Sequence, residues 1–215
     1  MSATITGLSE ATIDVERQPV HYVEKGSGPP VILVHGYAPI STWRVWESNI
    51  DALAEGSRVI ALDLPGYGES PAPGSGPPAD FGAWFAAHAQ TLAAFAAALG
   101  LEKTRVCGLS AGGGAGLLLT TQSPSLVERL VLVDSAGSEQ ADRWRSIAVP
   151  TLIVWQREDK LLPLQHGEKL AAAIPEARLE IVEGNAAGIE PYDWHWPQAL
   201  NPYRFNHLVG EFLGS

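Results

Sequence analysis

Val106-Cys107-Gly108-Leu109-Ser110-Ala111-Gly112-Gly113-Gly114 sets an apolar run against a cluster of glycines, with one serine at the junction. The run from Thr104 to Leu109 reads as a buried strand. The small residues after it lead into Ala115-Gly116-Leu117-Leu118-Leu119, a helix whose first turn has almost no side chains. Gly108 and Gly112 flank Ser110 as G-x-S-x-G. A sharp strand-to-helix reversal demands that spacing, because it strains the serine backbone and leaves no room for bulk on either side. It would hold the hydroxyl at the tip of a turn, over a helix N-terminus whose free N–H groups favour negative charge. A plain packing loop or a phosphate cradle would use similar glycines, so five residues alone leave the choice open.

Outward from this junction, apolar runs alternate with helical patterns. Ala11–Val15 and Val20–Glu24 alternate in polarity around a polar turn and read as an antiparallel, half-exposed pair. Val31-Ile32-Leu33-Val34, Arg58–Leu62, Leu130–Asp134 and Thr151–Trp155 are short runs of the kind buried on both faces. Ala177–Val182 is the last strand. Helices are expected over Trp43–Leu53, Ala79–Leu99 (closed by Gly100), about Ala111–Thr121, Leu164–Ile174 and about Pro202–Leu213. Such alternation predicts a single α/β domain over residues 1–215. Its mostly parallel central sheet would have about eight strands, the first pair antiparallel, with helices on both faces. Sites in such sheets form at the carboxyl ends of strands. Ser110, His35-Gly36 and the acids after Trp155 all lie at such ends.

Composition removes several function classes. The net charge of −10, with no dense Lys/Arg patch, argues against nucleic acid or an anionic membrane as partner. No apolar run approaches the roughly 20 residues of a membrane span, and the first residues lack the pattern of a secretion signal. The one cysteine, Cys107, lies within a strand, so no disulfide framework is expected and a cytoplasmic location is. Gly112-Gly113-Gly114-Ala115-Gly116 fits neither nucleotide-binding glycine pattern, and no metal-ligand spacing stands out. Neither cofactor nor metal is expected.

A serine hydroxyl is a weak nucleophile; it needs a base, and the base an orienting carboxylate. Asp159 lies in the loop just past Thr151–Trp155, with Glu158 beside it and Asp134 at the end of the preceding strand as rivals. Each could instead be a solvated loop acid or a helix cap. Six histidines compete for the base. His21 (outer strand) and His88 (long helix) read as satisfied or solvated, His166 and His207 as surface residues. His35, next to Gly36, reads as a residue that braces the loop. His195 follows the acid, between the last strand and the last helix, giving the order Ser…Asp…His.

These pieces, in this order, resemble the α/β-hydrolase family from end to end. They are Val34-His35-Gly36, Asp63-Leu64-Pro65-Gly66-Tyr67-Gly68-Glu69-Ser70, Gly108–Gly113, Leu132-Val133-Asp134, Arg157–Pro163 and the C-terminal segment. The resemblance implies a triad of Ser110, Asp159 and His195. It also implies an oxyanion hole from the backbone N–H groups of Tyr37 and Ala111. The implied activity is hydrolysis of carboxylic esters of small molecules through an acyl-enzyme. Other chemistry on the same triad (perhydrolysis, carbon–carbon cleavage, a lyase step) is the alternative.

Two departures from the family bear on that reading. Gly184-Asn185-Ala186-Ala187 occupies the register where family members usually carry the histidine, with alanine in its place. Taken alone this implies a non-catalytic binder. His195-Trp196-Pro197 followed by Asn201–Asn206, Val209, Phe212 and Leu213 fits the family's histidine-to-helix stretch better, making 185–194 an insertion. The family's helical cap is also reduced to a minimal segment, 138–148. Tyr192, Trp194 and Trp196 are candidate pocket walls, or anchors for a long loop.

Overall fold

The computed structural model describes residues 5–74, 76, 78, 80–183 and 195–214. Eight strands form one sheet: β1 (Ser9–Val15), β2 (Gln18–Lys25), β3 (Pro30–Val34), β4 (Arg58–Leu62), β5 (Thr104–Leu109), β6 (Val127–Val133), β7 (Thr151–Gln156) and β8 (Ala177–Val182). Their order is β1-β2-β4-β3-β5-β6-β7-β8. β1 pairs antiparallel with β2, and β2 with β4; every other pairing is parallel. The expected sheet is the observed one, although β6 begins three residues before the apolar run suggested.

Helices α1 (Glu47–Leu53), α2 (Phe81–Ala98), α3 (Ala111–Gln122), α4 (Gln165–Ala173), α5 (Pro197–Leu200) and α6 (Pro202–Gly214) cover the sheet. Trp43–Trp46 is a separate 3₁₀ turn ahead of α1, and Ser138–Ser146 is 3₁₀ as well. The expected helix start at Ala79 falls outside the described residues; Asp80 caps α2 by accepting the Ala83 N–H at 2.8 Å. Gly100, at φ +69°, closes it in the left-handed conformation that costs glycine least. The four-residue α5 was not foreseen.

Side chains alternate along the central strands, so each face builds its own core. Ile32, Ile60, Val106, Leu130 and Ile153 pack under Phe85, Leu92 and Phe95 of α2 and Leu118 of α3. Leu33, Ala61, Cys107, Val131 and Leu152 pack under Ile50 of α1 and Phe205, Val209 and Leu213 of α6. Trp43 and Trp46 are buried in this second core. Burial pushes the Cys107 thiol up, so it stays protonated and inert within the strand. Among the described residues, no helix is long and apolar enough to cross a membrane.

Candidate active site

Ser110 stands between β5 and α3 at φ 54°, ψ −122°, a conformation that side-chain-bearing residues avoid. Backbone hydrogen bonds on both sides hold it there. Its N–H donates to Val133 (2.9 Å), and its carbonyl accepts from Ala136 (2.9 Å) and Gly113 (3.0 Å). The flanking glycines are required by contact. A Cβ on Gly108 would lie 2.5 Å from the Gly112 carbonyl oxygen. One on Gly112 would strike the His35 carbonyl oxygen and sit 2.7 Å from that of Val34. α3 and the β3 loop can thus approach the strand end only over bare backbone.

Beside the serine, the Gly36–Tyr37 peptide passes so close that a Cβ on Gly36 would be 3.1 Å from Ser110 Cβ. His35 holds this peptide. Its Nδ1 is 2.8 Å from the Gly36 carbonyl, and its Nε2 is 3.0 Å from the Leu64 nitrogen. A backbone N–H can only donate, so Nε2 accepts, the proton sits on Nδ1, and the ring is neutral. Burial drives its pKa down to about 4. Tyr67 Oη donates to the Tyr37 carbonyl (2.9 Å) and accepts from Trp84 Nε1 (3.2 Å), fixing the other side of Tyr37. Asp63 ties down the neighbouring loop, taking the N–H groups of Trp43 (2.8 Å) and Glu69 (3.1 Å) and the His21 ring (2.9 Å). Ala111 is the first residue of α3, so its N–H has no partner within the helix.

Across the pocket, Asp159 follows the fully buried β7 in a turn in which its own N–H donates to Gln156. Its Oδ1 accepts from the N–H groups of Leu161 (2.8 Å) and Leu162 (2.9 Å), leaving Oδ2 2.6 Å from His195 Nδ1. The other imidazole nitrogen, Nε2, is buried with no hydrogen-bond partner among the described residues. Asp134 closes the group: its Oδ2 lies 3.9 Å from His195 Nδ1. The segment bearing His195 is pinned from below. Asn49 Nδ2 donates to the Gln198 carbonyl (2.9 Å) and to Asn206 Oδ1 (2.8 Å), linking α1, α5 and α6.

Ser110, Ala111, Tyr37, His195 and Trp196 share the lining of one cavity of about 720 Å³, within the range of small-molecule sites. Asp159 sits behind the histidine. Tyr192 and Trp194 lie outside the described residues. Phe81, Phe85, Pro39, Leu161, Leu162 and Glu139 also line the cavity, and the sequence reading passed over them. Leu161 and Leu162 directly follow Asp159, a signal that could have been used; Phe81 and Phe85 come from α2, which nothing local assigns to this site.

The other histidines fall mostly as expected. His35 braces the loop, His21 is satisfied between Asp63 and Glu10, and His207 is exposed. His166 is only partly exposed and bonds Ser138 Oγ at 2.5 Å. His88 differs: it is buried, and one of its ring nitrogens is unsatisfied. It is buried against Trp84 (4.2 Å between ring centres), its Nδ1 has no partner, and burial lowers its pKa to about 4.

His35 and His88 therefore titrate well below the 6.5 of an unfolded chain. The unfolded state binds more protons between pH 6.5 and 4, so stability is complete above 6.5 and is lost as pH falls through that window. Each group contributes at most about 1.4 kcal/mol per pH unit, and about 3 kcal/mol in all for His35. Urea denaturation between pH 6.5 and 5 should show a marked fall in stability, and His88→Gln should make it shallower by about one proton. An unchanged slope in the variant would contradict the assignment.

Residues 29–145 match the family model described as alpha/beta hydrolase fold. The chain belongs to the α/β-hydrolase family. It is 27% identical over 267 residues to 2-hydroxymuconate semialdehyde hydrolase of Pseudomonas sp. (strain CF600), covering 89% of each chain. That alignment is longer than this entire 215-residue α/β-hydrolase, so tens of residues of the relative have no counterpart here. Among solved structures it resembles a predicted CIB-like hydrolase from Thermoplasma acidophilum, with a TM-score of 0.84, 27% identity, and 97% and 98% of the two chains covered. The 2-hydroxy-6-oxo-6-phenylhexa-2,4-dienoate hydrolase of Rhodococcus sp. strain RHA1 has the same fold, with a TM-score of 0.85, 18% identity, and 97% and 99% covered.

Proposed function

We propose that this α/β-hydrolase cleaves esters of small, uncharged, apolar carboxylic acids through Ser110, His195 and Asp159. One observation carries the reading: His195 is held by Asp159 through Nδ1 at 2.6 Å, while its Nε2 has no partner, in the cavity that also holds the strained Ser110. A buried nitrogen without a hydrogen bond needs an explanation, and a proton waiting to be taken from a substrate-attacking hydroxyl supplies one. Ser110 Oγ attacks the ester carbonyl as its proton passes to Nε2. The Tyr37 and Ala111 N–H groups meet the oxyanion, each worth about 3 kcal/mol in comparable sites. The imidazolium returns the proton to the departing alcohol, and water repeats the sequence on the acyl-enzyme. Asp159 keeps the imidazole in the tautomer with its proton on Nδ1.

The wall sets the substrate class. Tyr37, Pro39, Phe81, Phe85, Leu161, Leu162 and Trp196 make it apolar. Among the described residues that line it there is no Lys or Arg, whereas Glu139 is present. The stretch 184–194 contains no Lys or Arg either, and two acids. The short 138–146 connection supports an open mouth, with Tyr37, Phe81 and Leu161 all at least half exposed on its rim.

Carbon–carbon bond hydrolysis is the second reading, favoured by relatives named as 2-hydroxymuconate semialdehyde and 2-hydroxy-6-oxononadienedioate hydrolases. Those names describe acidic substrates, and a carboxylate entering this cavity would find no Lys or Arg among the described residues that line it. The test is a paired assay of p-nitrophenyl butyrate and the mono-p-nitrophenyl ester of succinate. The neutral ester should be preferred roughly tenfold or more in kcat/KM, and Glu139→Gln should narrow the gap by improving the anion alone. Faster turnover of a 2-hydroxy-6-oxodienoate than of any neutral ester would overturn the ester reading in favour of the second.

A further inference from the structure

The triad proposed above leaves one buried acid unused. Asp134, completely buried, ends β6 at φ 39°, a strained position for a residue with a side chain. It is tied twice to β7, by its own N–H to the Val154 carbonyl (3.1 Å) and by Oδ1 to the Gln156 N–H (2.7 Å). Its Oδ2 has no hydrogen-bond partner among the described residues. Ligand-type atoms of Asp134, Asp159 and His195 all lie within 4.8 Å of one another, and Oδ2 is 3.9 Å from His195 Nδ1.

We infer that Asp134 is a second carboxyl group of the triad, a positioning residue that braces Asp159 and can itself hold the His195 imidazole when Asp159 is absent. The inference rests on His195 serving as the base.

The donors decide which acid carries the charge. Asp159 receives two backbone N–H groups and the His195 ring, whereas Asp134 receives one N–H. Two carboxylates this close and this buried cannot both be ionised. Burial, and then the charge of Asp159, push Asp134 well above the usual carboxylate range, opposed only by the Gln156 N–H. Its proton therefore belongs on Oδ2, the oxygen without a donor, and the two carboxyl groups approach within 4.8 Å of each other. The site then holds a single negative charge, matched by the imidazolium formed during the reaction. Asp159 and His195 are the titratable groups that face Asp134 among the described residues.

With Asp159 removed, the charge that helps keep Asp134 protonated is gone; once Asp134 ionises, a shift of about 1 Å of the His195 ring into the vacated space closes the 3.9 Å gap and lets Nδ1–H donate to it. Where a lone orienting acid is lost, kcat falls about 10⁴-fold. Here Asp159→Ala should lose only about 10²-fold, Asp134→Asn a few-fold, and the double variant at least a further ~10-fold beyond Asp159→Ala. Activity of Asp159→Ala should also need a higher pH than the wild type, because burial, the larger cause, still raises the pKa of Asp134 after the charge of Asp159 is gone. A merely structural Asp134 would not move that profile.

The decisive readout does not depend on turnover. Nitrogen NMR of His195 should show the Nδ1–H tautomer in wild type and in Asp159→Ala, and its loss in the double variant. If Asp159→Ala unfolds, Asp159→Ser, whose hydroxyl can still take the Leu161 and Leu162 N–H groups, replaces it. Loss of the Nδ1–H tautomer in the single variant, or equal rates for single and double variants, would overturn the inference. Absence of any Ser110-dependent activity in a wild type showing the expected tautomers would instead count against the proposed function.

Discussion

Ser110→Ala should lower kcat for p-nitrophenyl butyrate by about a million-fold, the scale seen when the nucleophile of a comparable triad is removed. The loss should be confined to chemistry. Ser110 caps α3 without a side-chain hydrogen bond to the helix, so removing the hydroxyl costs the helix no partner. Its backbone bonds to Val133, Gly113 and Ala136 are untouched, and alanine carries the same strain at φ 54° as serine. The melting temperature should stay within a few degrees of wild type, since surface-like truncations of this kind cost about 0.5 kcal/mol or less. Retention of more than a few per cent of the rate would mean that another group performs the attack.

Removal of the proposed base is the second large effect. His195→Ala should cost as much as loss of the serine, because members of a triad act as a unit and their deletions are far from additive. Here a structural cost is expected as well. The ring is buried, and its loss leaves the Asp159 carboxylate facing a void with Asp134 alongside. His195→Gln is therefore the companion variant: its amide can still donate to Asp159 and fills much of the space, yet it cannot take a proton. Both variants should be inactive, with glutamine the more stable of the two. An active His195→Gln would show that the base lies elsewhere.

The same geometry explains what could be read from the chain alone. Strands were legible because runs such as Val31–Val34 and Thr151–Trp155 are apolar at every position, which only burial on both faces accounts for. Ser110 and Asp159 were legible because each sits within a few residues of such a strand's end. His195 was harder, since the order Ser…Asp…His and the following Pro197 to Leu213 stretch had to outweigh Ala187 in the register usual for the family. The cavity wall was mostly illegible. Phe81 and Phe85 reach it because α2 crosses back over the sheet, and helical periodicity does not say where a helix ends up. The sequence presented Asp134 and Asp159 as competitors for one role; β6 and β7 are neighbours, so both arrive at the same histidine. His88 deceived for a related reason, because its burial depends on Trp84 and Tyr67 closing around it.

The measurement that bears most directly on the account is covalent labelling by a fluorophosphonate, followed by intact mass and peptide mapping, in wild type, Ser110→Ala and His195→Gln. The arrangement of strained serine, partnerless Nε2 and buried Asp159 predicts one adduct, on Ser110, formed rapidly in wild type. None should form in Ser110→Ala, and labelling in His195→Gln should be slower by roughly a thousand-fold or more. Labelling at a different residue, or at an equal rate in His195→Gln, would contradict it.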